Sequence, residues 1–90
     1  MLKEKKQPIG NNDLKEEEHR KLVLYNDEVN TFDFVIDSLI EVCEHDPMQA
    51  ENCAMIAHYK GKCSVKSGTF NELKPYHLEL SNRELTVEIQ

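Results

Sequence analysis

An apolar run, Leu22-Val23-Leu24-Tyr25, stops on Asn26-Asp27-Glu28, and a second apolar run opens at Phe32. Four apolar residues without alternation suit a strand covered on at least one face. The polar triplet ends that strand, and the apolar residues that follow it return at helical spacing. Leu22 to Val35 therefore reads as strand, polar bend and helix start. The bend sets one carboxamide and two carboxylates where strand hands over to helix. Such a place is suited to holding a cationic group beside an apolar wall.

The rest of the chain is read outward from this stretch. The strand covers residues 20–25. Asn30 is placed to cap the first helix, with Asp33 three residues on to reach back, and the helix is expected from about Phe32 to His45. Val35, Leu39 and Val42 form its apolar stripe, which Phe32, Ile36, Ile40 and Cys43 widen. Asp46-Pro47-x-Gln49 opens a second helix with a cap, a proline at the first helical position and a capping-box partner. Its side of small residues, Ala50, Cys53, Ala54 and Ala57, together with His58, lets another element approach closely. Gly61 ends it in the left-handed cap role.

Cys63 to Lys66 reads as a short second strand. Thr69-Phe70-Asn71-Glu72 is a capping box for a third helix, and Pro75 is expected to cut that helix to one or two turns, with a possible restart at the proline. Glu84 to Ile89 alternates, with Leu85, Val87 and Ile89 on the inward side of the last strand. The order is βααβαβ. The fold class is a small α+β layer, a three-stranded antiparallel sheet packed against helices.

Ninety residues make one domain with little core to spare, since a chain this short buries only about 60–65% of its unfolded surface. Residues 1–19 have isolated apolar residues and the breakers Pro8 and Gly10, so they read as a flexible extension in front of a domain over 20–90. No secretory h-region and no membrane-length apolar run is visible, which makes a cytoplasmic protein without membrane contact the expectation. The net charge is −6, and residues 20–90 hold 12 of the 17 acidic and 7 of the 11 basic residues. An acidic domain argues against nucleic acid, which needs a basic face to displace counterions, and suits a cationic ligand or a basic partner.

Cys43, Cys53 and Cys63 are odd in number and none lie at CxxC spacing, so they read as free thiols and not as a disulfide framework. Cys43, His45, Cys53 and His58 do not make a metal set, because Cys43 and His45 cannot share a helix face and no loop supplies a second ligand pair. No nucleophile elbow, phosphate loop or HExxH occurs, so neither an enzyme nor a cofactor is indicated.

Two segments resemble the ClpS family of adaptors for Clp ATP-dependent proteases. One is LVLYNDEVNTFDFVIDSLIEV, similar to the family's strand, "NDD" turn, "FV" and helix. The other is AMIAHYKGKC, similar to its helix-ending "VHxxG". With the helix start between them, the resemblance spans roughly residues 20–66. It implies a βααβαβ fold and a pocket for the destabilising first residue of an N-degron client. The positions matching the family's α-amino ligands are Asn26, Asp27 and His58. Those matching its side-chain cavity include Asn30, Phe32, Val35, Ala54 and Ala57. The implied partners are such client proteins and the N-terminal domain of a Clp AAA+ unfoldase, with the adaptor expected as a monomer.

The chain departs from the family pattern in three places. Asn30-Thr31-Phe32 stands for the common Thr-Pro-Met run, Ala54 replaces a larger residue, and the region after Gly68 is shorter.

The chemistry of such a site follows from the residues themselves. An α-ammonium has three donors and one charge, so it needs acceptors, at least one of them ionised. Asp27 offers the charge, Asn26 a carbonyl oxygen and neutral His58 a ring nitrogen. Taken singly, Asn26-Asp27 is also ordinary turn chemistry, His58 a histidine complementing a helix C-terminus, and Phe32, Val35, Ala54 and Ala57 ordinary core. Two functions stay open at this point. One is an adaptor for N-degron clients; the other is an interaction module of the same fold that has lost that recognition. A ribosome-stalk-like domain of similar fold class is a third and weaker alternative.

Overall fold

In a computed structural model of the chain, which describes residues 18–90, strand β1 (Arg20–Tyr25) lies between two antiparallel neighbours, β2 (Lys62–Gly68) and β3 (Thr86–Ile89). Helices α1 (Phe32–Cys43), α2 (Pro47–Lys60) and α3 (Phe70–Asn82) complete the βααβαβ order. The expected N-terminal extension lies almost wholly outside the described residues. No helix among the described residues is long and apolar enough to cross a membrane.

The centre of the sheet is also the centre of the core. Leu22, Val23 and Leu24 are all buried, as a strand paired on both edges requires. Leu22 and Leu24 pack in one cluster with Leu39 of α1, Ala50, Cys53 and Ala57 of α2, Leu73 and Leu80 of α3, and Val87 of β3. The small-residue side of α2 is buried as its composition suggested, while His58 is exposed at its end. Leu85 and Val87 are buried and Ile89 packs against the cluster, which matches the alternation of the last strand.

Several boundaries differ from expectation, β2 among them, which runs Lys62–Gly68 and not only Cys63 to Lys66. The cap of α1 is Thr31, whose hydroxyl accepts from the Phe34 N–H at 3.1 Å, and Asn30 is not the cap. Adjacent Asn and Thr are both good caps; Asn30 is engaged elsewhere, as described below. The helix ends at Cys43 and not at His45, because Glu44 turns left-handed at φ 61° and the His45 N–H bonds back to the Leu39 carbonyl. His45 is then buried against β2, with its Nε2–H donating to the Val65 carbonyl at 2.7 Å. That carbonyl sits where the β1–β2 register slips: Leu22 faces Lys66 and Val23 faces Ser64, leaving Val65 as the extra residue of a bulge.

A further difference is α3. The Thr69–Glu72 capping box forms with both of its hydrogen bonds. Pro75 does not cut the helix, which runs 13 residues to Asn82. Proline removes one helical N–H, the partner of the Asn71 carbonyl. Both residues are exposed, so water can satisfy that carbonyl, while buried Leu73 and Leu80 anchor the helix on either side. Tertiary packing thus outweighs one lost bond. The last strand proper begins at Thr86, because Glu84 has φ 68° and belongs to the preceding turn.

Candidate functional site

The polar bend is built around Asp27. Its Oδ1 accepts the backbone N–H of Val29 and of Asn30, each at 2.9 Å, which holds the chain turned after β1. Its Oδ2 accepts the Asn30 side-chain Nδ2–H at 3.0 Å and the Thr86 hydroxyl at 3.5 Å. The same Asn30 Nδ2 donates to the Glu84 carbonyl at 2.9 Å, so this side chain brackets the bend to the turn before β3. Partial burial pushes the Asp27 carboxyl up. The hydrogen bonds from Asn30, Val29 and Thr86 together outweigh this and hold it below the ordinary 3.8. The group is therefore a carboxylate at neutral pH.

The end of α2 is brought to the bend by a backbone bond. The Asn26 N–H donates to the Gly61 carbonyl at 2.9 Å. Gly61 itself caps α2 at φ 97°, with its N–H on the Ala57 carbonyl. His58, one turn before this cap, is thereby carried to the same end of the molecule as Asn26 and Asp27. Its ring meets the Tyr59 ring edge-on, with centroids 4.9 Å apart.

Between bend and helix lies a cavity of about 550 Å³, within the range of small-molecule sites. All eight residues singled out from the sequence line it: Asn26, Asp27, Asn30, Phe32, Val35, Ala54, Ala57 and His58. The wall behind the polar mouth is apolar. Val35 comes from the first turn of α1, Ala54 and Ala57 from the buried side of α2, and Phe32, 39% exposed, stands at the rim. Because Ala54 and Ala57 are small, α2 leaves space there instead of filling it.

Five lining residues were not anticipated: Leu24, Tyr25, Glu28, Met55 and Tyr59. Leu24 and Tyr25 follow from the strand running into the bend, and Glu28 was visible as the third residue of the polar triplet. Met55 and Tyr59 carried a weaker signal. Both are large apolar side chains left exposed beside the small-residue side of α2, Met55 at 41% and Tyr59 at 75%. The arrangement offers two carboxylates, Asp27 and Glu28, the Asn26 and Asn30 carboxamides, an imidazole and an apolar recess. It is equipped to bind a cation attached to an apolar group.

No curated protein matches in sequence. Among solved structures, the chain is similar to Agrobacterium tumefaciens ClpS2 bound to L-phenylalaninamide, with a TM-score of 0.77 and 20% sequence identity over 83% of this chain and 96% of that one. At that identity the likeness establishes the fold. A family model described as the ATP-dependent Clp protease adaptor protein ClpS matches residues 15–87. A match over so much of the chain, on a fold shared with a solved ClpS structure, places this protein in the ClpS family of Clp protease adaptors.

Proposed function

We propose that the cavity binds the free α-amino group and bulky hydrophobic first residue of an N-degron client, which the protein then delivers to a Clp AAA+ unfoldase. The observation that carries this reading is the meeting of Asn26, Asp27 and His58 with a small-residue apolar wall on one cavity. Asp27 supplies the negative charge, while the Asn26 carbonyl oxygen and a His58 ring nitrogen supply neutral acceptors. The first side chain lies along Val35, Ala54 and Ala57 with Phe32 at the rim. Specificity for a free amine comes from the polar groups, because a blocked terminus leaves them unpaired. Affinity comes mainly from apolar burial.

The ligand described for Agrobacterium ClpS2, L-phenylalaninamide, has the same chemistry: a primary amine on an aromatic residue. As a Clp adaptor the protein is not an enzyme; it binds and hands over. Docking on the N-terminal domain of the unfoldase, as a cytoplasmic monomer, belongs to the same proposal.

One observation favours the second reading, an interaction module that has lost N-degron recognition. The Asp27 carboxylate already accepts hydrogen bonds from its own bend. Those bonds leave its charge in place, and they do not involve the Asn26 carboxamide or the His58 ring. Fluorescence anisotropy with a labelled peptide beginning with Phe separates the two. Binding by the wild type and its loss in His58→Ala and Asp27→Ala, both still folded by circular dichroism, supports the adaptor reading. Capture of a Clp unfoldase by a protein that binds no such peptide supports the other.

A further inference from the structure

Cys53 and Cys63 have no part in the cavity. Cys53 is on the buried side of α2 and Cys63 is near the start of β2, with the Gly61 turn between them. Their sulfurs converge on one acceptor, the Ser64 carbonyl oxygen, at 3.9 Å from Cys53 and 3.5 Å from Cys63. The two thiols differ in access: Cys53 is 8% exposed, whereas Cys63 is only half-buried. Burial, with the neighbouring Cys63 thiol adding to it, pushes Cys53 up to about 12. Burial pushes Cys43, deeper in the core at 3% exposed, up to about 11. Neither buried sulfur is a ready thiolate, so Cys63 is the one that an oxidant meets.

We propose that Cys53 and Cys63 form a redox modification site, converted by a hydroperoxide to an intramolecular disulfide. The Cys63 thiolate attacks the peroxide: an S–O bond forms, the O–O bond breaks, and the leaving oxygen takes a proton to depart as an alcohol or water. Cys63 is then a sulfenic acid. The Cys53 sulfur attacks it in turn. The S–S bond forms, the S–O bond breaks, and the hydroxide leaves as water with the Cys53 proton. Two thiols are oxidised and one peroxide is reduced. The crosslink joins α2, which carries Ala54, Ala57 and His58, to the adjacent strand across the Gly61 turn. Two sulfurs that share one carbonyl oxygen, at 3.9 and 3.5 Å, are neighbours across the turn, as a disulfide between them requires.

The test treats the reduced full chain with one equivalent of hydrogen peroxide and follows free thiols, intact mass and peptide maps. The expected result is a fall from three free thiols to one, a monomer lighter by two hydrogens and a linked Cys53–Cys63 peptide, all reversed by dithiothreitol. Cys43→Ser should crosslink as the wild type does. Cys63→Ser, which changes a half-buried position, should keep both remaining thiols. Unchanged thiols, over-oxidation of Cys63 without a crosslink, a Cys43–Cys53 link or a Cys63-linked dimer would each overturn the proposal.

Discussion

The backbone N–H of Asn26 donates to the carbonyl of Gly61 at 2.9 Å, joining the last turn of α2 to the exit of β1. The bond links two parts of the chain that are each set locally. The bend is shaped by the Asp27 carboxylate, and the helix end by Gly61 in its left-handed cap. Where they meet, His58 joins Asn26 and Asp27 on one cavity.

Gly61→Ala should destabilise the protein by about 1–2 kcal/mol, the cost of a side chain at positive φ. A Cβ there meets no atom within 4 Å, so the effect is one of backbone conformation and not of packing. Gly61→Asn should cost less than Gly61→Ala, since Asn tolerates left-handed backbone better. Urea unfolding of the two variants checks the order.

Asn30→Ala removes the bracket between Asp27 and the Glu84 carbonyl. The expected loss is about 1 kcal/mol of stability, together with a partial rise of the Asp27 carboxyl toward its ordinary value, since the Asn30 side chain supplies one of the hydrogen bonds that lower it while the Asn30 backbone N–H remains. Carbon-13 titration of Asp27 by NMR reads the second effect directly.

Acid sensitivity follows from the sign of the Asp27 shift. Its carboxyl is lowered in the folded state from 3.8. A lowered carboxyl stabilises the fold at pH above the unfolded value, and that contribution disappears as the pH falls through the folded value. The gap in unfolding free energy between wild type and Asp27→Asn should therefore be constant near neutrality and narrow below about pH 4. Denaturant titrations at a series of pH values measure it.

Pro75→Ala should stabilise the protein by about 1–3 kcal/mol, because alanine restores the N–H that the Asn71 carbonyl lacks and relieves the steric conflict inside α3. Thermal denaturation checks the direction. An unchanged midpoint would mean that α3 has already adjusted to its proline.

What the sequence revealed was mostly local chemistry. The run Leu22–Tyr25, the Asp46-Pro47 helix start, the Gly61 stop and the Thr69–Glu72 box each act over a few residues, and each formed where expected. The choice between Asn30 and Thr31 as cap was not local. It depends on the Glu84 carbonyl, 54 residues away, which draws the Asn30 side chain off the helix. The Val65 bulge and the buried His45 that serves it pair two elements, and no periodicity in either strand announced them. Met55 and Tyr59 escaped for a similar reason: their place on the cavity depends on how closely α2 approaches the bend.

The central claim is that Asn26, Asp27 and His58 hold an α-ammonium. The direct measurement is the ratio of affinities for one peptide beginning with Phe, with its terminus free and acetylated, by anisotropy or calorimetry. Acetylation removes the charge and leaves the site's acceptors unpaired. The predicted ratio is at least about 100-fold in favour of the free amine, collapsing in Asp27→Ala. Equal affinity for the two forms, or binding of neither, would contradict the account.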